Sequence, residues 1–388
     1  MPSGFEKKEG VFMTKLPTAL TGLVKREPVL SIAFLCAVIS ALFVPPSPAY
    51  LAYIDLRVLC LLFCLMAVVA GLQECGLFLV LAQRLLTGER PLPAVSLALV
   101  LLPFFTSMLV TNDVALITFV PFAILVLGMV GRSDLLIPVI VLQTVAANLG
   151  SMATPVGNPQ NLFLFAHFSL SMGEFLALLL PLTLVSLVGV SAASLYFGGR
   201  GWISVSFPQP ARISGSGRLA LYLILFALCL LSVCRLLPYP ILTGVVIAAL
   251  LLARPALLGQ VDYMLLLTFV CFFVFSGNLG QMPAVRDGLS ALLERAPLLC
   301  SALASQVISN VPSAVLLAGL TDRWQALLLG VDVGGLGTPV ASLASLIAMK
   351  FYFRVPQARP GAYMKWFAAA NGIGLVVLLP LAIYLVGL

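Results

Sequence analysis

The sequence predicts an all-α polytopic membrane protein made of two inverted repeats, each with a re-entrant helical hairpin and a broken transmembrane helix. Three observations carry this. The apolar content is too high for a water-soluble fold, several apolar runs have spanning length, and one series of motifs occurs twice in the same order.

Of 388 residues, 61% are hydrophobic and 9% charged. A soluble domain carries about a quarter charged residues. The bilayer resolves the excess, since apolar side chains there face lipid. Runs such as Val29 to Val44, Phe175 to Phe197, Leu219 to Leu237 and Trp366 to Val386 approach or exceed the roughly 20 residues that cross a hydrocarbon core. Spans are expected near 29–45, 56–74, 134–170, 173–198, 219–237, 239–253, 262–280, 324–353 and 362–386. Two interrupted apolar stretches, 92–130 and 297–321, read as hairpins that enter the membrane and return.

Charge orients this layout. With the N-terminus inside, sixteen cations fall on the cytoplasmic side: Lys7, Lys8, Lys15, Lys25 and Arg26 in the tail, then Arg84, Arg90, Arg132, Arg200, Arg212, Arg218, Arg254, Lys350, Arg354, Arg359 and Lys365. Five, Arg57, Arg235, Arg286, Arg295 and Arg323, fall outside. The bias follows the positive-inside rule and supports the span count and a cytoplasmic N-terminus; a bacterial-type inner membrane is the expected location. It also explains the net charge of +7 without a nucleic-acid partner. The organisation is thus a cytoplasmic tail 1–28, a first repeat 29–198, a cytoplasmic linker 199–218 rich in Gly, Ser and Pro, an extra span 219–237, and an inverted second repeat 238–388.

The hairpin middles read SMLVTNDVALITFVP, with Thr111, Asn112 and Asp113, and ASQVISNVPSAVLL, with Ser309, Asn310 and Val311. Downstream lie NLGSMATPVGNPQNLF from Asn148 and DVGGLGTPVASLASLI from Asp332. Aligned without gaps, Gly150 meets Gly334, Thr154 meets Thr338 and Pro155 meets Pro339. Glycine weakens a helix by about 1 kcal/mol relative to alanine and proline by about 3. Such a cluster within a span predicts a break, which frees carbonyls at one half-helix and N–H groups at the other. Those ends hold cations and anions respectively. A single cluster could mark only a kink; two matched clusters point to a binding site.

The expected substrate-binding residues are therefore Thr111, Asn112, Ser309, Asn310, Thr154, Pro155, Thr338 and Pro339. The expected coupling-ion residues are Asn112, Asp113, Asn148, Gly150, Ser151, Asn158, Asn310, Asp332 and Gly334. Asn112, Asp113, Gly150 and Ser151 form a candidate Na⁺ set, because the first half offers the denser group of oxygens. A carboxylate at bilayer depth costs roughly 2.5–3.5 kcal/mol, so Asp113 and Asp332 are functional candidates. Each has a structural alternative as a cap. His167 is the sole histidine and reads as an interfacial packing residue. Asp55, Glu74 and Asp262 fall at span ends and read as solvated or capping. The eight cysteines contain no CxxC pair and read as small packing residues.

These strings resemble the ion transporter superfamily of divalent-anion/sodium symporters, citrate transporters and arsenite-efflux membrane pumps. TNDVA and SNVPS are similar to the Ser-Asn-Thr signatures of the symporters, and GSMATPVGNPQN to the broken helix that follows. The second half, with GVDVGGLGTPVASLASLI, is closer to the arsenite pumps. The chain departs from the symporters at Asp113 and Val311, and at Ser342 and Leu343 where the first break has Asn158 and Pro159. The resemblance implies a homodimer, with a static scaffold near 29–74 and 239–280 and a moving transport unit.

The function expected is secondary active transport of a small anion, dicarboxylate-like, citrate-like or an inorganic oxyanion, by alternating access coupled to Na⁺ or H⁺. Arsenite or antimonite efflux and Na⁺/H⁺ antiport are alternatives within the superfamily, and an ion channel is one outside it. No GxxxxGK[ST] string occurs, so ATP hydrolysis by the chain is not expected. One histidine and dispersed carboxylates do not fit a membrane-embedded enzyme. No cofactor beyond a coupling Na⁺ is expected; the partners are the bilayer, the substrate and a second copy.

Overall fold

The structure is a computed structural model that describes residues 28–387. The expected tail, with its five cations, lies outside the described residues.

The first half runs α1 Pro28–Phe43, the short α2 Ala49–Tyr53, α3 Leu56–Glu74, α4 Leu77–Leu86, β1 Gly88–Pro91, α5 Leu92–Thr106, α6 Asn112–Met129, α7 Leu136–Ser151, α8 Pro159–His167 and α9 Met172–Phe197. Strand β2 Trp202–Val205 and helix α10 Ser216–Val233 follow. The second half runs α11 Tyr239–Ala253, α12 Tyr263–Gly280, α13 Pro283–Arg295, α14 Pro297–Ile308, α15 Asn310–Ala318, α16 Trp324–Val333, α17 Leu343–Tyr352 and α18 Pro360–Leu385. Seven helices among the described residues are long and apolar enough to cross a membrane.

Helix starts follow local chemistry. Asp55 caps α3 by accepting from Val58 N at 3.0 Å. Asp262 caps α12 in the same way, from Leu265 N at 2.9 Å. Each cap satisfies one amide that a helix start leaves free. The runs 134–170 and 324–353, expected as broken spans, are each two helices. Their breaks fall at Met152–Asn158 and Gly334–Ser342, where Gly and Pro withdraw helix support. The first break thus begins just past Gly150 and Ser151, which still belong to α7. Pro297 ends α13 and turns the chain by 117° into α14, because a proline cannot extend the preceding helix.

Packing repeats between the halves. Helix α5 lies on α7, and α14 on α16. Across the halves, α1 packs on α12 while α11 packs on α3, and α15 packs on α8 while α17 packs on α6. Helix α10, the one without a counterpart, packs on α3.

The segment expected as a linker is docked on the first half. Strand β2 pairs antiparallel with β1, Gly88 opposite Val205. Ala211 N donates to Gln83 Oε1 at 2.5 Å and Ser214 N to Cys75 O at 3.1 Å. Glu74, expected as solvated or capping, pairs with Arg254 at 3.0 Å and Arg218 at 3.7 Å. Both arginines were assigned to one side by the charge count, and they meet at one end of the fold. His167 stacks near Phe163 and Phe168, with ring centroids 5.3 and 4.9 Å away.

Candidate functional site

The two breaks and the two helix-pair turns meet in the interior. In the first half, Thr106 and Asn112 are the facing ends of α5 and α6, joined by Ser107–Thr111. Asn112 N donates to Gly157 O in the break at 3.1 Å. In the second half, Ser309 alone separates α14 from α15, and Asn310 N donates to Ala341 O at 3.0 Å. Gly157 and Ala341 are equivalent in the ungapped alignment of the breaks.

Two further contacts recur at equivalent positions. Thr154 Oγ1 donates to Met108 O at 2.5 Å and Thr338 Oγ1 to Gln306 O at 2.9 Å. Gly150 lies against the backbone of Phe104, and Gly334 against Ala302 Cα, so closely that a Cβ at either site would collide. Glycine is required at both for this approach.

Each break is closed by polar side chains, the first from within and beside the break, the second from α14. In the first, Asn158 Oδ1 accepts from Asn161 N at 2.9 Å, and Asn158 Nδ2 donates to Ser151 Oγ at 3.2 Å. In the second, Gln306 Nε2 donates to Gly334 O and Leu336 O at 2.7 and 2.8 Å, while its Oε1 accepts from Thr338 N at 2.8 Å. Ser309 holds φ at 75°, a left-handed conformation costly for a residue with a Cβ. This conformation lets α14 turn directly into α15.

The halves are joined at Asn148. Its Oδ1 accepts from Asn112 Nδ2 at 2.9 Å and from Ser342 Oγ, in the second break, at 3.0 Å. The reciprocal contact is at Asp332, the alignment partner of Asn148. Gln160 Nε2 donates to Asp332 Oδ1 at 3.4 Å, and Asn158 and Asn161 also approach that carboxylate. None of these gives Asp332 Oδ2 a well-formed hydrogen bond, and Asn161 Oδ1 and Asn148 Nδ2 are likewise without one. Asp332 is 5% exposed and Asn161 fully buried. An unpartnered buried polar atom costs about 1–3 kcal/mol, so such a cluster calls for a functional reason.

A cleft of about 130 Å³ opens beside this junction. Its polar lining is Asn112, Asp113, Gln160, Asp262, Thr268, Ser309, Asn310 and Ser342. First-turn residues of α6, α8, α15 and α17 all reach it. Helix N-termini carry about half a positive charge each. Asp113 and Asp262 oppose that field, and among the described residues no Lys, Arg or His lines the cleft.

The expected residues therefore divide. Asn112, Asp113, Ser309 and Asn310 line the cleft. Asn148, Asn158, Ser151 and Asp332 form the buried junction behind it. The hydroxyls of Thr154 and Thr338 are committed to carbonyls, and Thr338 and Pro339 line a separate apolar cleft against α18. Pro155 is buried in the first break. Thr111 faces Leu65 and Val69 of α3.

The candidate Na⁺ set is not one group of free oxygens. Asn112 Oδ1 accepts from Asp113 N at 3.0 Å, and Ser151 Oγ donates to Asn148 O at 2.9 Å. Asp113 Oδ1 has no hydrogen-bond partner among the described residues. The sequence reading missed Gln160, Asn161 and Gln306, and read Asp262 only as a span-end group. The string Asn158-Pro159-Gln160-Asn161 was the available signal, since it places amides on the first turn of a half-helix.

The citrate transporter family's sequence model matches residues 12–349. The chain belongs to the citrate transporter family. Its relatives include an uncharacterized transporter of Methanocaldococcus jannaschii, 29% identical over 293 residues, covering 74% of this chain and 79% of the relative. The inner membrane protein YbiR of Escherichia coli is 33% identical over 322 residues, covering 79% and 83%. A silicon efflux transporter of rice, Oryza sativa, is 32% identical over 158 residues, covering 40% of this chain and 32% of its own. This member of the citrate transporter family is a multi-span membrane transporter, which bears out the superfamily resemblance read from the motifs.

Proposed function

We propose that the protein is a secondary active transporter whose substrate binds in the cleft between the two helix-pair turns and the two breaks. The convergence of the first turns of α6, α8, α12, α15 and α17 on one cleft carries this reading. Two inverted repeats with re-entrant hairpins account for the recurrence of Asn112–Gly157 as Asn310–Ala341, of Thr154–Met108 as Thr338–Gln306, and of Gly150–Phe104 as Gly334–Ala302. Their alternation gives access from either side. The early helices α1 and α3 with α11 and α12 form the scaffold of a homodimer, and the N-terminus is cytoplasmic.

The electrostatics suggest how coupling works. The helix N-termini favour an anion, while the charges of Asp113 and Asp262 oppose one. A Na⁺ or H⁺ taken up at Asp113 removes one opposing charge and makes the cleft receptive to an anion such as a carboxylate. Binding of ion and substrate then reinforce each other, as linkage requires. Asn112, Ser309 and Asn310 supply neutral hydrogen bonds to the substrate.

A second reading is efflux of an undissociated oxyacid. The neutral amide and hydroxyl groups of Asn112, Gln160, Ser309, Asn310 and Ser342 in the cleft favour it, and the rice relative is named for silicon efflux. Counterflow in proteoliposomes separates the two. Exchange of labelled citrate or a dicarboxylate, stimulated by a Na⁺ or pH gradient, supports the first. Exchange confined to arsenite or silicic acid supports the second. A current that reverses at the Nernst potential of one ion, with no substrate coupling, would overturn both in favour of a channel.

A further inference from the structure

Helices α9 and α18 are each 26 residues long, and both pack on α7. Between them runs a groove of about 480 Å³. Leu142, Val145 and Leu149 of α7 line it, with Val185 and Gly189 on one wall and Ile373 on the other. Ser186 also reaches the groove, but its hydroxyl is spent on Leu182 O at 2.7 Å. The lining is otherwise apolar except at one end.

That end carries Lys365. Its neighbour Trp366 meets Phe197 ring to ring, centroids 4.7 Å apart and nearly perpendicular. Lys365 is exposed and makes no ion pair among the described residues. Exposed Arg359 immediately precedes α18, whose first turn holds no acidic residue. Arg200 is also exposed, three residues beyond the end of α9. The groove thus has an apolar slot, an aromatic collar and a cationic mouth. No acidic residue lines it, so a second copy of the chain docked on its own groove would leave the cation unanswered. An amphiphile with an anionic head satisfies all three parts.

We propose that this groove is a binding site for an anionic phospholipid, with an acyl chain between α9 and α18 and the phosphate at Lys365. The site is separate from the transport cleft and does not depend on the substrate reading. Aromatic and basic side chains together mark a membrane interface. Basic pockets between spans hold anionic head groups, at about 1 kcal/mol per cation near the surface. The molecule contains its own comparison. A second apolar cleft, about 560 Å³ between α14 and α18, has no charged residue in its lining and so cannot select a head group.

The test is native mass spectrometry of the full chain with phosphatidylglycerol and phosphatidylcholine of identical acyl chains. Wild type should bind phosphatidylglycerol about fivefold more tightly. Lys365→Gln should abolish the preference and leave phosphatidylcholine binding unchanged. A Cβ at Gly189 meets open space, so Gly189→Leu should fill the slot and weaken both lipids without lowering the melting temperature. Val185→Phe is the alternative slot-filling change should Gly189→Leu fold poorly. Retained preference in Lys365→Gln, or unchanged binding in the slot-filled variant, would overturn the proposal. So would a photo-crosslinker at position 185 that captures a second copy instead of lipid.

Discussion

Ser342 Oγ donates to Asn148 Oδ1 at 3.0 Å, joining residues 194 positions apart in different halves. The same oxygen accepts from Asn112, so one amide holds the first helix-pair turn and the second break together. Asn148→Ala removes the acceptor and leaves two buried donors without it. It should lower stability by about 2–4 kcal/mol, whereas Ser342→Ala should cost about 1. Thermal melts of the single and double variants check this. Additive losses would show that the two side chains do not act through each other.

Gly150 and Gly334 should tolerate no side chain. Alanine at either drives a Cβ into backbone, at Phe104 or Ala302. Each substitution should cost about 1–3 kcal/mol as overpacking. Gly244→Ala, where the added carbon meets nothing within 4 Å, is the control and should leave the melting temperature unchanged or slightly raised.

Gln306→Leu should destabilise the second break selectively. The change strips partners from Gly334 O, Leu336 O and Thr338 N at once. A loss of about 3 kcal/mol is expected. Hydrogen exchange should quicken at residues 334–342 before the rest of the chain. Uniformly faster exchange would mean that Gln306 supports the whole fold.

Asp113→Asn should abolish gradient-driven uptake while leaving the protein folded and counterflow measurable. Asp332→Asn should have a smaller effect, because its counterpart in the first half, Asn148, is already neutral. Undiminished gradient dependence in Asp113→Asn would leave that residue a helix-start group with no part in coupling.

Much of the architecture was legible because Gly, Pro and Asn act on the backbone directly. The breaks after Gly150 and at Gly334 followed from helix propensity, and the spans from apolar length. The recurring contacts at Asn112 and Asn310, and at Thr154 and Thr338, fall where the matched strings align. What escaped was chemistry without a counterpart. Gln306 aligns with Met108, so no repeat drew attention to it. Gln160 aligns with Ala344 for the same reason. Asp262 is a cap, as its place at a span end suggested, but only the packing of α12 brings it to the cleft beside Asp113. Helices α4 and α13 and the strand pair were missed because short amphipathic pieces at span ends lack the apolar length that marks a crossing.

The docking of residues 202–214 on the first half has a practical outcome. Within the segment 199–218, the docked part ends near Gly215, where the backbone is left-handed at φ 72°. A gene cut there would yield two polypeptides, the first retaining its β ribbon and the second beginning with α10. Cut at residue 199 instead, the second fragment would carry an orphaned strand, and with it an exposed edge prone to aggregation. Co-expressed fragments divided at Gly215 should therefore be recovered from detergent-solubilised membranes as a reassembled pair more readily than fragments divided at the earlier point.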